Sequence, residues 1–339
     1  MATPITGLSD REIRSRLAAV AREAVRSPAI DAVVLFGSRA RGDSHPDSDW
    51  DVALIANSDL GHPDMVATRK RIERLDRHAA FEVWERTTQY LRENADKSNL
   101  MAGAVVTQGV ALAGEWPLAR AEKDGRLIMD LDIMRVQQAG VCEFIASGWL
   151  AAGMQYGESD PDTRRVSYLS GLAAELLAKD IVASHSVQPA RSHDLFGLAD
   201  QLEHLPLQAW ESVEQRREEV EALREMNGIT VKLHLGIYSD HPAEKESLEK
   251  GIRRLLLTMK LQARWLSRCA DRGPDWNQAA RDAGRKMLKT AATLRSMPTD
   301  SHRNLLEILP NEVVQSIIDW EANAHGLCGD PVWSGRRPR

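Results

Sequence analysis

The densest chemistry in the sequence lies in the run Leu35-Phe-Gly-Ser-Arg-Ala-Arg-Gly-Asp-Ser-His-Pro-Asp-Ser-Asp-Trp-Asp51-Val-Ala-Leu-Ile55. Asp49 and Asp51 are two positions apart, so on a strand their carboxylates project from one face. Carboxylates held side by side repel each other unless a cation sits between them. Hard oxygen donors suit Mg²⁺, which commonly links carboxylates to substrate phosphates. Just upstream, Gly37 lets the backbone approach a phosphate, Ser38 offers a hydroxyl donor, and neighbouring amides can point at an anion. Arg39 and Arg41 add positive charge beside them. One loop therefore has the groups to hold a triphosphate while the aspartate pair holds metal.

These residues need a scaffold, and the flanking sequence predicts one. Ser9 with Glu12 makes a capping box for a helix over 9–26, ended by Ser27-Pro28. Ala32 to Phe36 is a short continuous apolar run, typical of a strand buried on both faces, and it stops at Gly37-Ser38. A polar loop leads to a second strand from Trp50 to Ile55, then a helix over 64–78 and a third strand over 80–87. Gly109 to Gly114 reads as the closing piece of this α/β unit.

Gly-Ser, ten residues, then Asp-x-Asp on a strand resembles the nucleotidyltransferases of the DNA polymerase β superfamily. The run Gly37-Ser-Arg-Ala-Arg-Gly42 with Ser48-Asp-x-Asp51 is most similar to the minimal nucleotidyltransferase (MNT) group, over about residues 30–116. The resemblance implies a third carboxylate on a later strand. Glu82, in Phe81-Glu-Val-Trp-Glu-Arg-Thr87, takes the place where the family often has Asp, as catalytic base and metal ligand. Glu85 is the alternative, though it should face the opposite side. An exposed strand carboxylate without a role is the plain reading of either. The implied reaction is attack of an acceptor hydroxyl on the α-phosphate of a nucleoside triphosphate, ATP being the family's usual donor, with Mg²⁺ as cofactor.

After Trp116 the character changes to long helical patterns, over 122–154, 162–185, 207–227, 243–270, 275–296 and 301–323. The expected fold class is α+β: a small mixed-sheet nucleotidyltransferase domain over 1–120, an all-α bundle over 121–325, and a loose tail over 326–339. Tyr168 to Val182, with Ala174-Glu-x-x-x-Lys179, then Val187-Gln-Pro189 and His193-Asp-Leu195, resembles the HEPN helical domain, which often accompanies MNT domains. Ribonucleases of that group carry Arg, four to six residues, then His on a helix. Arg39–His45 and Arg71–His78 have the spacing but lie in the first domain, and Pro298 interrupts Arg295–His302. Arg191 and His193 are too close, so ribonuclease activity is not supported, and His193 reads as a loop or capping residue.

The composition is that of a globular chain of 339 residues with 43% hydrophobic and 27% charged residues, enough for two cores. No apolar run is long enough to span a membrane, and the first sixteen residues are too polar for a signal segment, so a cytoplasmic protein is expected. Cys142, Cys269 and Cys328 are scattered and form no zinc or disulfide pattern. The net charge of −5 divides into −3 for 1–150, −8 for 151–250 and +6 for 251–339. An acidic middle would attract a cationic substrate and a basic tail nucleic acid, but solvated helix faces account for both. Arg253, Arg254, Arg264 and Arg268 read as such a face, and the nine tryptophans as core anchors.

Three readings of the function stand side by side, two of which name an acceptor. A protein or RNA acceptor fits the MNT-like detail, as in toxin–antitoxin and defence systems. A small hydroxylated molecule such as an aminoglycoside fits the acidic middle. A non-catalytic nucleotide-binding module, the third, would be expected to carry a broken Asp-x-Asp. The helical domain would bind the acceptor, close the nucleotide cleft or form a homodimer.

Overall fold

A computed structural model describes residues 8–44, 48–114, 127–156, 163–190, 194–227, 247–297 and 305–329. The chain divides into two compact units, Met1–Ile128 and Met129–Arg339. Trp116, Arg191, His193, His45, His302, Pro298 and the tail from 330 lie outside the described residues, as do the breaks expected at 157–161 and 241–242.

The first unit begins with α1 (Asp10–Ala24), whose start is set by the Ser9–Glu12 capping box: each residue's side chain accepts from the other's backbone N–H. Its buried stripe of Ile13, Leu17, Val20 and Ala21 follows helical spacing. Four strands, β1 (Ile30–Phe36), β2 (Trp50–Ala56), β3 (Phe81–Thr87) and β4 (Val110–Gly114), form one mixed sheet in the order β3-β2-β1-β4. β1 is antiparallel to β2 and β4, whereas β2 and β3 run parallel. The turn α2 (Ser38–Arg41) separates β1 from β2, and α3 (Pro63–Glu73) makes the crossover to β3.

Both central strands are covered on both faces, which is why they read as continuous apolar runs. Val33, Leu35, Val52 and Leu54 meet α1 together with Met65 and Ile72 of α3. On the opposite face Val34, Phe36, Ala53 and Ile55 pack against Leu91 of α4 (Thr88–Asn94) and Ala102 and Val105 of α5 (Met101–Gln108). Neither α4 nor α5 is expected from the sequence. The apolar, β-branched core of α5, Ala104-Val-Val-Thr107, carries no helical polar face to read. α3 stops at Glu73, short of the expected 78, because the Asp76 carboxylate accepts the amides of His78 (2.8 Å) and Leu8 (2.7 Å) and turns the chain toward β3.

The second unit is a helical bundle: α6 (Leu131–Gln155), α7 (Arg164–Ala183), α8 (Leu195–His204), α9 (Val213–Met226), α10 (Leu248–Ala270), α11 (Pro274–Ser296), α12 (Leu305–Ile308) and α13 (Asn311–Cys328). Its core centres on the fully buried Trp149, Trp265 and Trp320. The helix expected over 207–227 starts only at Val213, where Ser212 and Gln215 form a second capping box. The one expected over 301–323 is split before Pro310, whose ring disfavours a helical residue ahead of it. α13 then runs to Cys328, into the segment expected to be loose.

Candidate active site

The acidic cluster is built by strand register. β1 ends at Phe36, which pairs with Asp51 across the antiparallel ladder, and the parallel ladder on the other side of β2 pairs Asp51 with Glu82. Asp51 and Glu82 therefore stand side by side on one face, with Asp49 one step before β2. One carboxylate oxygen from each of Asp49, Asp51 and Glu82 lies within 4.8 Å of the others. Asp51 is buried, Asp49 half-buried and Glu82 exposed, so the cluster opens outward along Glu82.

Gly37 shapes the wall of this cluster. Its φ of 74° bends the chain out of β1 into α2, a conformation that L side chains rarely adopt. A Cβ placed there would sit 1.8 Å from Asp51 Oδ2 and 2.8 Å from its Cγ. The backbone thus closes against a buried carboxylate where any side chain would displace it. Ser38 opens the single turn of α2, whose Ala40 and Arg41 amides donate back to Gly37 O at 3.1 Å. The donor set, three carboxylates with one buried, fits a hard divalent cation such as Mg²⁺ or Mn²⁺ and gives a soft metal no thiolate or imidazole.

The two arginines part company. Arg41 is exposed, and its guanidinium bonds Asp43 (3.0 Å) and Gln108 Oε1 (2.8 Å) at the end of α5. Arg39, expected to offer charge to a phosphate, is instead buried, with a side chain 5% exposed. It donates to the carbonyls of Ser48 (2.6 and 3.0 Å) and Asp49 (3.2 Å), and pairs with Asp10 (2.5 Å). Its guanidinium lies 4.5 Å from the Trp50 ring centroid. The spacing of Arg39 cannot reveal this, because its partners are backbone oxygens nine and ten residues on.

Glu85 points to the other face and pairs with Arg69 of α3 at 3.2 Å, so it is separate from the cluster. Beside Glu82, on its own face, stands Trp84, one of the tryptophans read from the sequence as core anchors, which lies 6.4 Å from Phe36 and 6.0 Å from Tyr90, with the Arg86 guanidinium over both Trp84 and Tyr90. Alternation along β3 was the available signal for this placement.

The basic residues singled out in the helical unit are engaged locally. Arg264 pairs with Glu218 (2.7 Å), Arg253 with Glu225 and Arg268 with Glu219, all on α9. Arg254 is buried and donates to Met226 O (2.7 Å) and Ser170 Oγ (3.0 Å). A groove of about 910 Å³ runs along this face of α10, with Leu257 and Trp320 in its lining beside the same charged pairs. Its arginines are thus largely neutralised by α9 carboxylates. The Ala174-Glu-x-x-x-Lys179 motif forms an ion pair one turn apart on α7, Lys179 Nζ to Glu175 at 2.6 Å.

Comparison with protein families places this geometry. Residues 19–103 match the family described as polymerase beta, nucleotidyltransferase, a stretch that runs from the second half of α1 into α5 and includes the three carboxylates and Gly37. No curated protein matches the chain. The match supports a nucleotidyltransferase domain, hence a transferase that binds a nucleotide, and it leaves the helical unit outside its span.

Proposed function

We propose that this chain is a Mg²⁺-dependent nucleotidyltransferase that moves a nucleoside monophosphate, AMP from ATP in the leading case, onto a hydroxyl of a protein or RNA acceptor. The observation that carries the reading is the convergence of Asp49, Asp51 and Glu82 beside a glycine whose backbone closes on Asp51. The three carboxylates would hold the divalent cation, which would supply positive charge to stabilise the charge that develops on the phosphate. Ser38 donates its hydroxyl to the triphosphate, and Arg41, exposed at the end of α2, reaches the same charge. The acceptor oxygen bonds the α-phosphorus, the bond to the bridging oxygen breaks, and pyrophosphate leaves. In this reading Glu82, the exposed member of the cluster, receives the hydroxyl proton.

The helical unit, which we read as HEPN-like, binds or presents the acceptor or joins two copies of the chain. A small polycationic acceptor such as an aminoglycoside is the second reading, favoured by the net charge of −8 over residues 151–250. Incubation with Mg²⁺ and ATP labelled at the α-phosphate, in the presence of total tRNA, cell lysate or an aminoglycoside panel, tests both. Label is expected in a single pool and absent with Asp49→Ala/Asp51→Ala. If none of the four nucleoside triphosphates labels any pool, the catalytic reading is overturned in favour of a nucleotide-binding module.

A further inference from the structure

Arg39 touches the segment that carries Asp49 and Asp51 from behind, and reaches the strand of Glu82 through Trp50. Its Nε and Nη2 hold the carbonyls of Ser48 and Asp49, and its plane covers Trp50, the residue between the two aspartates. Trp50 in turn stacks on Phe81, ring centroids 6.3 Å apart at 29°, and Phe81 is the neighbour of Glu82 on β3. At its far end Nη1 is anchored by Asp10 in the first turn of α1. Strand alternation places Trp50 and Phe81 on the face opposite Asp51 and Glu82. The guanidinium thus ties α1, the loop after α2, and through Trp50 both β2 and β3, beneath the acidic cluster.

We propose that Arg39 is a positioning residue that sets the spacing of Asp49, Asp51 and Glu82, and so the affinity of the site for a divalent cation, without itself contacting phosphate. The inference rests on the metal-dependent reading above. A lysine cannot reproduce it: one ammonium has neither the planar fork for two adjacent carbonyls and a carboxylate nor a flat face for the indole. Because Asp49 belongs to the loop that Arg39 fastens, loosening the clamp spreads the carboxylates before it alters their number or charge. Groups that orient metal ligands in this indirect way typically change metal affinity by about 10–100-fold when replaced.

The test is Mn²⁺ binding to the full-length chain without nucleotide, followed by the electron paramagnetic resonance signal of free Mn²⁺, with thermal unfolding run in parallel. Arg39→Lys is expected to weaken Mn²⁺ binding about tenfold, at the lower end of that range. Asp10→Asn, at an anchor 65% exposed and clear of the cluster, is expected to weaken it by a smaller factor at unchanged unfolding temperature. Arg71→Gln, which breaks an exposed pair with Glu23, is expected to leave it unchanged. Should Arg39→Lys fail to fold, Asp10→Asn decides alone. Wild-type binding of Mn²⁺ with both variants within twofold of it would overturn the positioning role while leaving the metal site standing. No binding by the wild type would remove both.

Discussion

At the residue scale the site turns on a contact that involves no side chain on one partner. Gly37 faces Asp51 so closely that a methyl group would overlap its carboxylate, and its φ of 74° adds a conformational demand of its own. Gly42 separates these two effects: its φ is 85°, yet nothing lies within 4 Å of a Cβ built there. Gly42→Ala should therefore lose about 1–3 kcal/mol for its left-handed φ alone, and Gly37→Ala more, because the overlap with Asp51 adds to its own strained φ. Only Gly37→Ala should lose nucleotidyl transfer, by two orders of magnitude or more. Urea unfolding beside a transfer assay checks this, and equal activity losses in the two variants would dismiss the Gly37–Asp51 contact as a catalytic feature. The acid pair was legible because period-two spacing on a strand fixes side-chain direction, and Glu82 because a family resemblance pointed to β3. The role of Arg39 was not legible: an arginine next to a phosphate-binding sequence reads as a phosphate ligand unless its backbone partners are seen.

Elements were legible where hydrophobic period and caps agreed, as at Ser9–Glu12, and illegible where tertiary contacts decide, as in α5, which becomes a helix by covering Val34 and Phe36. The helical bundle adds a buried polar layer that no spacing announces. Gln138 on α6 donates to Asp180 on α7 (2.6 Å), Gln262 on α10 donates to Gln138 (2.7 Å), and Trp320 on α13 donates to Gln262 (3.2 Å). Complete burial pushes the Asp180 carboxyl well above its ordinary range, against the pull of Gln138. The native state therefore holds this proton more tightly than the unfolded chain, so stability declines as pH rises from the unfolded value through the native one. Asp180→Asn should match or exceed the wild type in melting temperature at pH 8, with the gap closing toward pH 4. A variant less stable at pH 8 than at pH 4, relative to wild type, would show the carboxylate is needed charged. Glu211 shows the opposite sign. Burial raises it, but hydrogen bonds from His185 and Arg216 outweigh that and hold it at about 2. Its contribution is full above the ordinary value near 4.5 and is lost as pH falls toward 2. Glu211→Gln leaves Arg216 and His185 without this charge, so it should cost about 3 kcal/mol at pH 7. The deficit should shrink by pH 3 in thermal scans, and a constant deficit across that range would contradict the charge-based account.

For the molecule as a whole, the question is which unit answers to the nucleotide. The family match ends at residue 103 and all three carboxylates lie in Met1–Ile128, whereas the largest buried cluster of tryptophans and the paired α10 arginines belong to Met129–Arg339. The helical unit has its own core, and its α10 arginines pair largely with α9 carboxylates. A ligand that binds only the native first unit stabilises it by mass action, about 2.7 kcal/mol at a hundredfold excess over its dissociation constant. Hydrogen exchange on the full chain, with and without Mn²⁺ and a non-hydrolysable triphosphate, should therefore slow first in the segments 36–43, 48–54 and 81–85. Those are the end of β1 with α2, the carboxylate strand, and the start of its parallel neighbour. Asp51→Asn should abolish the slowing in all three together, since the register that joins Phe36, Asp51 and Glu82 makes them one site. Adding the true acceptor should then extend protection to segments that the nucleotide leaves untouched, and the helical unit is where the second set is expected. Protection by nucleotide alone that appears in 129–339 and spares 36–54 would relocate the nucleotide site and dissolve the division of labour argued from the two cores.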